Sequence, residues 1–166
     1  MAYIIQLETT TKQCSVALSY KGNCISKKAL LAEHFSHDEK LHVFIREVLQ
    51  EASVGFSELD AVSISKGPGS YTGLRIGVAA AKGLCFALDL PLIGIHTLEL
   101  MVQPFIGKAE YAFFIPMLDA RRMEVYNAVF DNSKTWIQET NALVLEAQSF
   151  YDLLGDSPCL VFGNGA

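Results

Sequence analysis

Gly67-Pro68-Gly69-Ser70-Tyr71-Thr72-Gly73-Leu74-Arg75-Ile76-Gly77 joins a strand expected over 61–66 to a helix expected over roughly 73–88. Glycine at this density marks backbone that takes unusual dihedrals or admits a close neighbour. Two uses compete: a cradle for phosphate, or a close-packed contact surface. A strand, glycine loop and helix in series present free N–H groups and the positive end of a helix dipole. The register, however, fits neither common phosphate motif. A Walker loop needs Gly-Lys-Ser/Thr where Gly73 is followed by Leu74-Arg75. The dinucleotide fingerprint needs G-x-G-x-x-G, whereas Gly67, Gly69 and Gly73 are spaced G-x-G-x-x-x-G, and Asp89 falls near the end of the helix rather than after a second strand.

The helix after the loop is apolar around most of its circumference. Gly73, Gly77, Ala80, Leu84 and Ala87 form one stripe; Leu74, Val78, Ala81, Cys85 and Leu88 form its neighbour. Small residues permit close helix packing. One stripe is expected on the sheet, and the other against a second subunit or an adjacent helix of the same chain.

Upstream, 3–7, 14–20 and 24–31 read as three strands of a meander, linked by Glu8-Thr9-Thr10-Thr11-Lys12-Gln13 and Lys21-Gly22-Asn23. Ser36 and Glu39 form a capping box for a helix whose apolar face is Leu41, Phe44, Ile45, Val48 and Leu49, with Val54-Gly55 closing it. Downstream, 92–95 reads as a strand and Thr97 as the cap of a helix to Val102. Residues 112–118 and 124–130 form a hairpin, 135–145 a strand, 147–154 a helix and 159–162 a last strand before Gly163-Asn164-Gly165-Ala166. Strands and helices in this order predict an α/β fold with a mixed sheet.

The chain has 166 residues, 51% hydrophobic and 19% charged, with 13 basic against 18 acidic residues and a net charge of −5. That balance argues against a free-standing nucleic-acid binder, which needs a basic stripe. The cysteines Cys14, Cys24, Cys85 and Cys159 lack C-x-x-C spacing and read as buried reduced thiols. The N-terminus lacks the pattern of a signal peptide. Asp89 and Pro91 interrupt the apolar run at 84–95, so no membrane span is expected and the chain reads as cytoplasmic.

Other constellations are weaker. His34, Asp38 and His42 have i, i+4, i+8 spacing suited to a metal, but a cap at Ser36 leaves His34 outside the helix, and His37 diverges from His42. Ser70 or Cys85 with His96 lacks the G-x-S-x-G elbow of a hydrolase. Asp119, Arg121, Arg122 and Glu124 cluster at a turn, read either as a solvated turn with internal ion pairs or as a contact patch.

The run Ile4-Ile5-Gln6-Leu7-Glu8-Thr9-Thr10 with Cys14-Ser15-Val16-Ala17-Leu18 resembles the first phosphate hairpin of actin-like ATPases. Together with the 67–77 segment and Asp119-Ala120-Arg121-Arg122-Met123-Glu124-Val125-Tyr126, it gives the chain a resemblance, from Tyr3 to Ala166, to the TsaB (YeaZ) family. That family lies in the glycoprotease-like branch of the actin-like superfamily. The resemblance implies an actin-like (ribonuclease H-like) α/β fold. A mixed five-stranded sheet with helices would form the N-terminal lobe at 1–108, and 109–166 a smaller second lobe. Family members continue with a helix after the last glycine-rich turn, so the second lobe is expected to be truncated.

The resemblance also implies a catalytically silent partner that binds and activates TsaD in making N6-threonylcarbamoyladenosine at position 37 of tRNAs reading ANN codons. TsaE would join the pair, TsaC would supply threonylcarbamoyl-adenylate, and tRNA would be reached only through the complex. Alone, such a subunit forms a homodimer. No catalytic residue, cofactor or metal is implied. The TsaD-type H-x-x-x-H motif is broken here to His37 and Leu41, and Glu8-Thr9-Thr10 and Asp119-Ala120-Arg121 replace the Asp and Gly usual in phosphate hairpins. The expected partner face is built from His37, Leu41, Phe44, Gly73, Gly77, Ala80 and Leu84 on the helices at 37–50 and 73–88. The rivals are an active ATP-dependent phosphotransferase or peptidase of the same superfamily, and a self-contained regulatory homodimer.

Overall fold

A computed structural model describes residues 2–31, 37–146 and 148–166, with the side chain of His37 also outside the described set. The Ser36–Glu39 capping box and His34 therefore lie outside the described residues. The chain divides into two compact units at His96/Thr97.

The first unit opens with the expected meander: β1 (Tyr3–Glu8), β2 (Gln13–Tyr20) and β3 (Asn23–Leu31), paired antiparallel in sequence. Lys21 and Gly22 both have positive φ, the geometry of a tight hairpin turn that matches strand twist. α1 (His37–Ala52) follows, then a short 3-10 turn at Phe56–Glu58, β4 (Ala61–Ser65), α2 (Tyr71–Leu88) and β5 (Leu92–Ile95). β4 runs parallel to β1 and β5 parallel to β4, giving the order β3-β2-β1-β4-β5. All of β4 is buried, as suits an inner parallel strand.

α1 lays Leu41, Ile45, Val48 and Leu49 into a core with Ile5, Leu7, Val16, Leu18, Val62 and Ile64. Each such side chain contributes about 1.5–3 kcal/mol on burial. The end of α1 differs from expectation: the left-handed residue is Ser53 (φ 55), not Gly55. Val54 N–H donates to Leu49 C=O at 3.0 Å, and buried Val54 supplies the apolar contact that completes this type of helix stop. α2 ends the same way, with Asp89 left-handed and Leu90 N–H donating to Cys85 C=O.

The second unit starts with α3 (Thr97–Val102) and a 3-10 turn at Gln103–Phe105. β6 (Phe113–Arg121), β7 (Glu124–Asp131), β8 (Trp136–Val144), α4 (Tyr151–Leu154) and β9 (Cys159–Phe162) follow. The boundary falls at residue 96 rather than 108 because Leu98, Val102, Met101 and Phe105 pack with Phe114, Leu118, Phe130 and Phe162. Thr97 begins α3 but caps nothing: its buried hydroxyl has no partner. The sheet order β8-β7-β6-β9, with β6–β7 and β7–β8 antiparallel and β9 parallel to β6, repeats the β3-β2-β1-β4 arrangement of the first unit.

Candidate functional site

The turn between β1 and β2 and the 67–74 segment are closed onto each other. Glu8 Oε1 accepts from Thr10 N–H at 2.7 Å and from the Thr10 hydroxyl, while Glu8 Oε2 accepts from the Ser65 hydroxyl. Ser70 N–H donates to Thr10 C=O at 2.7 Å, and Thr9 Oγ1 donates to Gly73 C=O at 2.8 Å. Thr9, Thr10 and Ser65 are buried.

Two glycines explain why the backbones approach so closely. A Cβ on Gly69 would lie 2.5 Å from Thr10 Cβ and 2.6 Å from its carbonyl oxygen. One on Gly77 would overlap Thr9 Oγ1 and lie 2.9 Å from Ile64 Cδ1. Both glycines admit the chain's own hairpin, and the segment is spent on internal packing. Ser70 caps α2, its hydroxyl accepting from Gly73 N–H at 3.2 Å. The helix expected from about Gly73 thus starts two residues earlier, at Tyr71, directly after a serine, the residue type that favours this cap.

The same closure sets the faces of α2. Gly73, Gly77, Ala80 and Ala81 are buried, and Val78, Leu84, Cys85 and Leu88 are half-buried against the core. Both stripes read from the sequence thus serve their own lobe, except at Ala87, which is exposed. The outward surface is a third stripe: Tyr71, Thr72, Arg75, Ala79, Lys82, Gly83 and Phe86 are exposed. Phe86 is 93% and Tyr71 72% exposed, and the Arg75 guanidinium sits 4.9 Å from the Tyr71 ring centroid. Nothing lies within 4 Å of a Cβ built on Gly83, so this face is open around Gly83, with the cations Arg75 and Lys82 exposed on it.

Of the expected partner residues, Leu41, Gly73, Gly77 and Ala80 are thus buried within their own unit and position the helices rather than offer surface. Phe44 and Leu84 are half-buried at the margin of the same core. His37 opens α1. α1 turns Asp38, Glu39, His42, Arg46 and Gln50 to solvent and packs against α2.

The turn between β6 and β7 is held within its own unit. Asp119 N–H donates to Asn164 Oδ1 and Asp119 Oδ1 accepts from Arg121 N–H. Arg121, Arg122 and Met123 all have φ between 56 and 71, a conformation that disfavours side chains. Internal ion pairs were one expectation, but the two pairs among the described residues are Lys28–Glu51 and Lys134–Glu99.

The cysteines are free. Cys14 alone is buried; Cys85 is partly covered, and Cys24 and Cys159 are exposed, contrary to the expectation of four buried thiols. Burial, with the nearby Glu8 charge, pushes the Cys14 thiol up to about 11. Among the described residues no group of His, Cys, Asp and Glu is arranged to hold a metal ion, and no helix is long and apolar enough to cross a membrane.

Residues 32–150 match the family model described as TsaD, tRNA N6-adenosine threonylcarbamoyltransferase. A Haemophilus influenzae protein named tRNA threonylcarbamoyladenosine biosynthesis protein TsaB is 36% identical over 123 residues, covering 74% of this chain and 51% of that protein. Its Escherichia coli namesake is 30% identical over 151 residues, covering 90% of this chain and 64% of its own length. A solved structure from Pseudomonas aeruginosa, described as similar to the peptidase YeaZ, superposes with a TM-score of 0.84 at 26% identity, covering 97% of this chain and 75% of that one. The chain spans about half to two thirds of the length of these curated relatives.

Proposed function

Because this chain belongs to the family described as TsaD, tRNA N6-adenosine threonylcarbamoyltransferase, and within it groups with the TsaB (YeaZ) proteins, we propose that it is a non-catalytic partner subunit of a TsaD-type transferase. In this reading it binds and activates that subunit for threonylcarbamoyl transfer to adenosine 37 of ANN-decoding tRNAs in the cytoplasm. TsaE joins the pair, and tRNA is reached only through the complex. The observation that carries the proposal is the pairing of an internally closed hairpin turn with an outward α2 face bearing Phe86 and Tyr71. A carboxylate and two buried threonines occupy the hairpin, so an incoming phosphate would meet like charge and filled space. Exposed large aromatics on an ordered helix suit protein docking.

The docking face is proposed as the outward stripe of α2 with the neighbouring edge of α1, where Phe44 and Leu84 support it from beneath. Alone, two copies are expected to pair through the same stripe.

The test is reconstitution: transferase activity of the TsaD-type subunit with TsaE, the tRNA and its threonylcarbamoyl donor, with and without this chain. The account expects activity to depend on the chain, and expects Mg-ATP titrated into the chain alone to give no saturable binding. Tight ATP binding by the chain alone, with turnover abolished in Glu8→Ala, would instead support the phosphotransferase reading.

A further inference from the structure

We propose that Glu8 is a positioning residue whose carboxylate serves as a tethered anion, fixing the start of α2 to the β1–β2 turn and thereby holding the docking face in place. The inference rests on the docking reading for its functional consequence, but not for its structural content.

Three parts of the chain converge on this one carboxylate. Glu8 is the last residue of β1, Thr10 lies in the following turn, and Ser65 ends β4, from which the glycine segment departs. Both carboxylate oxygens are used, by the Thr10 amide and the hydroxyls of Thr10 and Ser65; neither ion pair among the described residues includes Glu8. A cradle of neutral donors around a negative group is the chemistry of an anion site, here filled by the chain itself. Thr10, held by the carboxylate through its N–H and hydroxyl, in turn accepts Ser70 N–H on its carbonyl oxygen. Ser70 caps α2 by accepting Gly73 N–H, and Thr9 bonds Gly73 C=O. The path from Glu8 to the first turn of α2 therefore runs through two residues, each fixed at both ends. Gly69 and Gly77 leave no slack against the same threonines.

A structural carboxylate of any kind would stabilise the fold. A tethered anion makes a narrower demand: the empty cradle should accept a small free anion. Amide hydrogen exchange over 67–74 reads the local hold directly, with formate as the probe. In Glu8→Ala, exchange over this segment is expected to accelerate about tenfold or more relative to wild type, as loss of part-buried charge-assisted bonds lowers local protection. Formate should slow it again in Glu8→Ala and leave wild type unchanged. If Glu8→Ala does not fold, Glu8→Gln keeps the shape and should show the acceleration without formate rescue, because its amide still fills the cradle. Unchanged exchange in either folded variant, or acceleration in Glu8→Ala that formate does not reverse, overturns the proposal.

Association with the transferase subunit separates this inference from the docking reading. Glu8→Ala should weaken it about tenfold, with partial recovery in formate. If wild type itself does not associate, the docking reading fails, and the exchange experiment still decides the role of Glu8.

Discussion

Thr9 and Gly77 meet where hydroxyl and backbone leave room for hydrogen alone. Gly77→Ala is expected to keep the fold but lose about 1–3 kcal/mol in chemical denaturation, the usual cost of overpacking a filled interior. An unchanged denaturation midpoint would mean that Thr9 and Ile64 yield easily. Cys14 tests the same neighbourhood by chemistry. With its thiol held up to about 11 by burial and the Glu8 charge, its thiolate is scarce at pH 8–9. Cys24 and Cys159 should react quickly with a disulfide reagent, and Cys14 only on unfolding. The sign for stability follows: the unfolded thiol ionises near its ordinary value of 9.0 and the folded one near 11. The contribution is thus complete below the first and lost as pH rises through the second. The contact itself was hidden in the sequence. A glycine stripe reads identically whether it admits a partner or a threonine some sixty residues earlier, as the Thr9–Gly73 bond shows.

At the scale of elements, α2 separates support from surface. The helix α1 was legible because its apolar period is strong: the Leu41, Ile45, Val48, Leu49 spacing buries as expected. The outward face carried one signal, the charged pair Arg75 and Lys82 seven residues apart on a single stripe; its ends Tyr71 and Phe86 carried none, because a large aromatic in an apolar helix reads as core. The expected consequence is a clean division of effects. Phe86→Glu should leave thermal stability nearly unchanged, within about 0.5 kcal/mol as for a surface site, while weakening association with the transferase subunit at least tenfold. Loss of stability of several kcal/mol would show that Phe86 belongs to the core instead.

Across the whole chain, one strand plan is used twice. In each unit a central strand pairs antiparallel with the next and parallel with a later one. In each, the glycine-rich turn after the parallel strand abuts the hairpin beside it. A Cβ on Gly165 would come within 2.9 Å of Asp119 N, and one on Gly163 would overlap Met117 C=O. The resemblance implied two lobes meeting at 108/109, whereas the compact units meet at His96/Thr97, since α3 is too short for its six residues to announce which core they join. The most direct test of the account is the binding isotherm of this chain with the TsaD-type subunit from the same cell, measured for wild type and Phe86→Glu. Saturable binding near one to one is expected for wild type, and at least tenfold weaker binding for the variant. Absence of wild-type binding, or equal affinity of a folded Phe86→Glu variant, would contradict it.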